Sequence, residues 1–151
     1  MYNDPMYHVD KRDIDQLVWL ANFGDASEKP RCQWLIWELA QYEGVRPWSI
    51  HDLYLARGRG AVPANFTVPA MNLRALTYDV ARAVFRAALK LKVGAMIFEI
   101  ARSEIGYTSQ RPAEYVSSVL GAAVKEGYTG PVFIQGDHFH VNGKKYAAGG
   151  A

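Results

Sequence analysis

The sequence predicts an α/β fold with a parallel sheet, because three short apolar runs alternate with two helical segments. The runs cover residues 66–71, 93–100 and 131–135. Apolar runs without alternation are typical of strands that are buried on both faces of a sheet. The segments between them are long enough for the helical crossovers that join parallel strands. Three such strands match either an open, doubly wound sheet or part of a (βα)8 barrel, which takes about 250 residues.

The two segments between the runs have helical periodicity. A helix is expected after Thr77, and its apolar face consists of Val80, Val84, Ala87 and Leu91. A second helix is expected from Pro112, since proline is common in the first turn. Its apolar stripe consists of Val116, Val119, Leu120, Ala123 and Val124. Residues 102–111, which follow the second run, are predicted to form a polar loop.

Residues 1–62 are predicted to form helices and turns. Ile14, Leu17, Val18 and Ala21 recur at the spacing of one helical face. A second helix is expected over about residues 29–42, and a short third one around residues 53–55. The sequence thus predicts two regions, a helical extension over residues 1–62 and a βα region over residues 63–151.

Composition and charge narrow the class of protein. The 151 residues, of which 50% are hydrophobic, are enough for one compact domain or a piece of a larger one. The net charge of +2 gives little support for a nucleic-acid partner. Cys32 is the single cysteine, so no internal disulfide forms and a reducing compartment is favoured. With no run of about 18 apolar residues and no signal pattern at the N-terminus, a cytoplasmic protein without a membrane partner is predicted.

Polar residues follow each of the three predicted strands. In α/β folds, ligands bind outside the carboxyl ends of the strands. Asn72 follows the first run, and a polar group that consists of Glu99, Arg102, Ser103 and Glu104 ends the second. Asp137, His138 and His140 follow the third. Imidazole is a common zinc ligand and a carboxylate can transfer a proton, although His-x-His alone is also compatible with a pair of histidines in a solvated loop.

The strand segments resemble a known family, the class II, metal-dependent ketose-bisphosphate aldolases. Residues 66–72, 93–100 and 130–138 resemble its first three strands, and the resemblance extends over about residues 66–146. It implies the N-terminal part of a (βα)8 TIM barrel, with three of its parallel strands, preceded by a helical extension. It also implies an enzyme, a lyase of glycolysis and related carbohydrate metabolism that cleaves or forms fructose or tagatose 1,6-bisphosphate through a metal-stabilised enediolate.

The resemblance assigns roles to four residues. His138 would be one of three histidine ligands of Zn²⁺ or another divalent cation, and Asp137 would be the catalytic acid/base. Asn72 would lie near the substrate. Where the family has a serine that contacts the substrate, this sequence has Ala101, with Ser103 two residues later as the substrate-binding candidate. The family's other metal ligands lie on later strands, so the 151-residue chain alone is expected to be inactive.

Two other functions remain open at this level. Residues 102–108 and 111–115 also resemble the non-catalytic, chaperone-like subunits of tagatose-bisphosphate aldolases, which stabilise a partner. A helical nucleic-acid-binding module, with residues 49–59 as its recognition helix, is disfavoured because phosphate contacts need a basic face. The expected partners are therefore a phosphorylated ketose and either further copies of the chain or a partner subunit.

Overall fold

The computed structural model describes residues 13–149, which form seven helices and four strands. The helices are α1 (Ile14–Phe23), α2 (Glu28–Tyr42), α3 (His51–Gly58), α4 (Thr77–Leu91), α5 (Arg102–Thr108), α6 (Pro112–Lys125) and α7 (Gly143–Ala147). The strands are β1 (Val45–Trp48), β2 (Ala70–Asn72), β3 (Ile97–Ala101) and β4 (Gly130–Asp137). Residues 1–12 and 150–151 lie outside this description. They are the outer ends of the two predicted regions, and the N-terminal segment that was predicted to lack a signal pattern is among them.

The four strands form one parallel sheet in the order β1-β4-β3-β2. The prediction of an α/β fold with a parallel sheet is therefore confirmed. The three predicted strands are neighbours in chain order, and Asn72 and Asp137 are the last residues of β2 and β4. Both candidate residues consequently lie at the carboxyl edge of the sheet.

The fourth strand, β1, corrects the prediction that residues 1–62 contain only helices and turns. Gly44, at φ +77°, turns the chain out of α2, and its carbonyl accepts a 2.8 Å hydrogen bond from the Gly130 amide. Val45 is fully buried in the main core. Pro47 has no amide hydrogen to donate, which suits a strand at the edge of a sheet. Burial of Val45 against β4, a contact far away in sequence, therefore decides that this segment is extended.

One large core fills the face of the sheet that carries α1, α2, α4 and α6. Strand residues alternate between faces, and Phe98, Ile100 and Val132 point into this core. The same core contains Ile14 and Ile36 from the first two helices. The predicted boundary near residue 62 falls in the loop between α3 and β2, and residues on both sides of that loop contribute to the same core.

On the opposite face of the sheet, the apolar cluster formed by residues 13–149 lies near the amino end. Ile97 and Phe133 form a small cluster there with Ile50, and Leu53 packs against that cluster from α3. Toward the carboxyl end, the residues on this face are polar, and they include Glu99 and Gln135. The polar residues of this face therefore lie at its carboxyl end, and the small apolar cluster lies at its amino end.

The buried face of α4 differs from the predicted one. The predicted stripe would bury Leu91, which is 72% exposed. The buried apolar residues of α4 are Ala81, Phe85 and Ala88, each one position after a residue of that stripe. Phe85 decides the orientation because its ring packs on Phe98 of β3 and on Tyr128, with ring centroids 5.2 Å and 4.9 Å apart.

Helix α5 replaces the predicted loop after the second strand. It begins directly at Arg102, and the Glu104 carboxylate accepts a 2.9 Å hydrogen bond from the Ala101 amide. This bond satisfies an amide that the first turn of a helix leaves without a partner. A single glutamate thus stabilises a helix of seven residues that has no strong apolar periodicity.

Helices α1 and α6 approach each other most closely at Gly121. A Cβ atom at this position would lie 2.3 Å from Val18 Cγ2. We expect Gly121→Ala to lower the free energy of unfolding by about 1–2 kcal/mol, because overpacking costs about 1–3 kcal/mol and alanine's helix propensity returns up to about 1 kcal/mol. Urea unfolding would measure the change, with Gly106→Ala in α5, where a Cβ meets nothing within 4 Å, as the control. Equal stability of the two variants would contradict the close approach.

Candidate functional site

Asn72 and Asp137 meet across the intervening strand β3. Asn72 Nδ2 donates a 3.1 Å hydrogen bond to Asp137 Oδ2, although the two residues are 65 positions apart in the chain. Ala101 of β3 pairs with Asp137 in the register of the sheet. Because Ala101 has only a methyl group, the longer side chains on either side of it can reach each other.

A third residue, Glu104, joins this pair from the first turn of α5. Asn72 Nδ2 also donates a 3.1 Å hydrogen bond to Glu104 Oε2, and Arg74 Nε donates a 2.6 Å bond to Glu104 Oε1. Glu104 is only 4% exposed. Burial by itself raises the pKa of Glu104, but the bonds from Ala101, Asn72 and Arg74 and the charge of Arg74 hold it below its usual range. The ionised carboxylate therefore stabilises the fold at neutral pH, and this stabilisation is lost as the pH falls through the folded-state pKa.

His138 lies next to Asp137, on the side of the carboxylate that Asn72 does not contact. Its Nδ1 contacts Asp137 Oδ1, and its side chain is 68% exposed. Its φ of +104° is a left-handed backbone conformation that residues with a side chain rarely adopt. Such strain is common at functional sites, where the surrounding structure holds it in place. The ring of His140 lies 5.8 Å from that of His138, centroid to centroid.

One more polar pair lies on the same face of the sheet. Gln135 Nε2 donates a hydrogen bond to Glu99 Oε1 on the neighbouring strand.

We call Asn72, Glu104, Asp137 and His138 the carboxyl-edge cluster. The sequence pattern indicated Asn72, Asp137 and His138 as site residues and gave no role to Glu104. The signal that it missed is local, a glutamate three residues after the end of a strand, where a helix begins.

Ser103 does not join the carboxyl-edge cluster. It lies in the first turn of α5 with an exposed side chain and makes no hydrogen bond to Asn72 or Asp137. Because Ser103 and Glu104 are successive residues of a helix, their side chains leave it in different directions, and the buried one belongs to Glu104. A substrate contact by Ser103 therefore stays a prediction.

A cleft of about 750 Å³ is lined by residues of α1, α4 and α6 and of neighbouring loops, and by no member of the carboxyl-edge cluster. The loops that contribute to its walls are the one after β2 and the one between α5 and α6. Asn22 accepts a 3.2 Å hydrogen bond from Gln110, which in turn accepts a 2.7 Å bond from Thr77. Arg74 lines this cleft and donates a hydrogen bond to Glu104, so one side chain connects the cleft with the carboxyl-edge cluster.

The described residues do not complete a metal site. Across residues 13–149, no group of three or more histidine, cysteine, aspartate or glutamate side chains is placed to hold a metal ion. A catalytic zinc ion takes three protein ligands. His138 thus supplies at most one part of the zinc site that the resemblance implies.

Comparison with known proteins assigns no family and no function to this chain. No family model, curated protein or solved structure matches this chain. Separately, none of the helices in the described part of the chain is long and apolar enough to cross a membrane. Membership of the class II aldolases, and the residue roles that it implies, are therefore proposals for this chain.

The segment considered as a recognition helix forms α3 and is tied to its own loop. Arg57 donates hydrogen bonds of 2.9 Å to the Phe66 carbonyl and 2.7 Å to the Ala64 carbonyl. Its guanidinium also lies over the Phe66 ring, 5.1 Å from the centroid. Since Arg57 is engaged in holding the loop between α3 and β2, α3 has one fewer cation to offer to phosphates.

Proposed function

We propose that the carboxyl edge of this sheet binds a phosphorylated ketose and that the chain is part of an aldolase of the class II type. The observation that carries the proposal is the carboxyl-edge cluster. Three residues that the sequence pattern indicated lie together here: Asn72 donates a hydrogen bond to one carboxylate oxygen of Asp137, and His138 contacts the other. The group is at the edge where ligands bind in parallel α/β folds.

The reaction that we propose is reversible aldol cleavage with Asp137 as the proton carrier. In the cleavage direction, the Asp137 carboxylate takes the proton of a substrate hydroxyl while the adjacent carbon–carbon bond breaks. The hydroxyl carbon becomes the carbonyl of the aldehyde product, and the bonding electron pair stays with the ketone-derived fragment as its enediolate. Asn72 and His138 hold one oxygen each of the carboxylate, so its position is fixed before substrate binds.

The finer fold proposal is that the sheet is part of a (βα)8 barrel. The adjacency of β2, β3 and β4 in chain order supports it, because barrel strands follow one another in that way. β1 precedes β2 in the chain but pairs with β4, at the edge where the next strand of a barrel would lie. Barrel closure would therefore require a later strand to take the place of β1. An experimental structure of the longest protein that contains this sequence would test it, and an open sheet in that protein would overturn the barrel.

Coupled cleavage assays test the proposed activity. Fructose and tagatose 1,6-bisphosphate would be offered to the 151-residue chain and to the longest protein that contains it. We expect cleavage only in the longer protein. Absence of cleavage in both, with binding of neither sugar, would overturn the proposal.

A non-catalytic subunit is the second candidate, and the observation that favours it is Ala101. This residue occupies the register position beside Asp137 but has no hydroxyl for a substrate contact. Such a subunit would raise the stability or activity of a partner aldolase without cleaving either sugar itself. Co-purification and thermal unfolding of the mixed complex would distinguish this function from catalysis.

Zinc content gives a separate prediction. We expect the 151-residue chain, after dialysis against buffer without metal, to retain far less than one zinc ion per chain, because fewer than three ligands are in place in residues 13–149. The longer protein is expected to hold about one zinc ion per site and to lose it in His138→Ala. Elemental analysis would measure both, with His51→Ala in α3 as the control. Stoichiometric zinc in the 151-residue chain would show that its ligand set is complete.

A further inference from the structure

We infer that Glu104 is a positioning residue for Asp137 and acts through the side-chain amide of Asn72. The inference rests on the proposed function, since it names the group that keeps the proposed proton carrier in place. It is carried by the hydrogen-bond geometry of the carboxyl-edge cluster. Glu104 itself is buried and does not need to touch a substrate.

The amide nitrogen of Asn72 connects the two carboxylates. Asn72 Nδ2 has two hydrogens, and the structure places Glu104 Oε2 and Asp137 Oδ2 each 3.1 Å from that nitrogen. An amide that donates to two ionised acceptors is held in one plane, because rotation would break both charge-assisted bonds. The same orientation of the Asn72 amide therefore satisfies both hydrogen bonds, the one to Asp137 and the one to Glu104.

Glu104 is a firm anchor for this amide. Its Oε2 accepts from the Ala101 amide at 2.9 Å, and its Oε1 accepts from Arg74 at 2.6 Å. Ala101 ends β3, and Arg74 lies two residues after the end of β2, so one buried carboxylate ties two strand ends together. Without it, Asn72 would keep only Asp137 as the acceptor for its amide group.

The chain contains a matched control for this residue. Glu114 is the third residue of α6, and it accepts a 2.7 Å hydrogen bond from the Arg111 amide, as Glu104 does from Ala101 in α5. It is 8% exposed and forms an ion pair with Lys29 at 2.7 Å. The two glutamates thus share a helix-start position, a buried carboxylate and a basic partner. Only Glu104 touches Asn72.

The test compares Glu104→Gln with Glu114→Gln in the 151-residue chain by NMR of the Asn72 side-chain amide. The resonance would be assigned by its loss in Asn72→Ser. We expect Glu104→Gln to shift this resonance and to speed exchange of its hydrogens by about tenfold or more, which corresponds to the loss of one charge-assisted hydrogen bond. Glu114→Gln should leave the Asn72 resonance and its hydrogen exchange unchanged, although it should lower the free energy of unfolding about as much as Glu104→Gln does. Glu104→Asp, which keeps the charge, should restore part of the protection.

The outcomes separate the positioning role from the proposed function. An unchanged Asn72 resonance in Glu104→Gln, or an equal change in Glu114→Gln, would overturn the positioning role whether or not the protein is an aldolase. In the longer protein, Glu104→Gln should lower kcat about tenfold with little change in KM, because ordering of the proton carrier is lost rather than substrate contact. Absence of turnover in the wild-type protein would overturn the proposed function and leave the NMR result standing.

Discussion

Replacement of Asp137 by asparagine is expected to lower the turnover of ketose bisphosphate by about two to four orders of magnitude, the usual contribution of a positioned acid/base group. The amide keeps the size of the side chain and one oxygen for Asn72, but it cannot take up the substrate proton. The structure places this carboxylate at the carboxyl edge with both oxygens held in position. Steady-state cleavage assays on the longest protein that contains this sequence would measure the change.

Two further variants make the Asp137 result specific. Asp52→Asn removes an exposed carboxylate in the first turn of α3 and should leave turnover unchanged. His138→Ala should lower both zinc content and turnover, whereas Asp137→Asn should lower turnover alone. Equal turnover in Asp137→Asn and the wild-type protein would remove Asp137 from the mechanism.

The largest effect on stability is expected for Phe85→Ala. Phe85 is fully buried between β3 and Tyr128, and truncation of such a phenylalanine costs about 3–5 kcal/mol. This is a large part of the roughly 5–15 kcal/mol by which a domain is stable. Urea unfolding followed by circular dichroism would measure the loss of unfolding free energy.

Leu91→Ala is the matched variant on the same helix. Leu91 belongs to the face of α4 that the sequence pattern predicted as buried, yet it is 72% exposed. We expect its truncation to change stability by less than about 0.5 kcal/mol, as for most surface substitutions. A loss in Leu91→Ala as large as in Phe85→Ala would mean that α4 packs with the face that the sequence predicted.

Local patterns were sufficient to predict most of the scaffold. The periodicity of Ile14, Val18 and Ala21 predicts α1, and all three are buried. The apolar runs predicted three parallel strands, and the structure has a parallel strand at each run, because such runs have few other ways to be buried. The first of these strands, β2, begins only at Ala70 and so overlaps only the end of the predicted run 66–71. Because ligands bind at the carboxyl ends of such strands, the sequence alone placed Asn72 and Asp137 at one edge of the sheet.

Contacts between distant segments decided the rest. Val45 and its neighbours became a strand because they pair with β4, which begins at Gly130. The face that α4 buries was set by the fit of Phe85 against Phe98, and no pattern within α4 specifies that partner. In both cases the deciding energy is burial against a segment that the local sequence does not contain.

The same division applies to the carboxyl-edge cluster. The sequence by itself determined which residue types follow the strands, and so proposed Asn72, Asp137 and His138. Only the tertiary structure brought Glu104 within hydrogen-bond distance of Asn72, across 32 positions of the chain. A hydrogen bond forms only within about 3 Å and with a favourable angle, and it depends on strand register and helix orientation together. Sequence spacing determines neither, so the residue that holds the amide of Asn72 became apparent only in the folded chain.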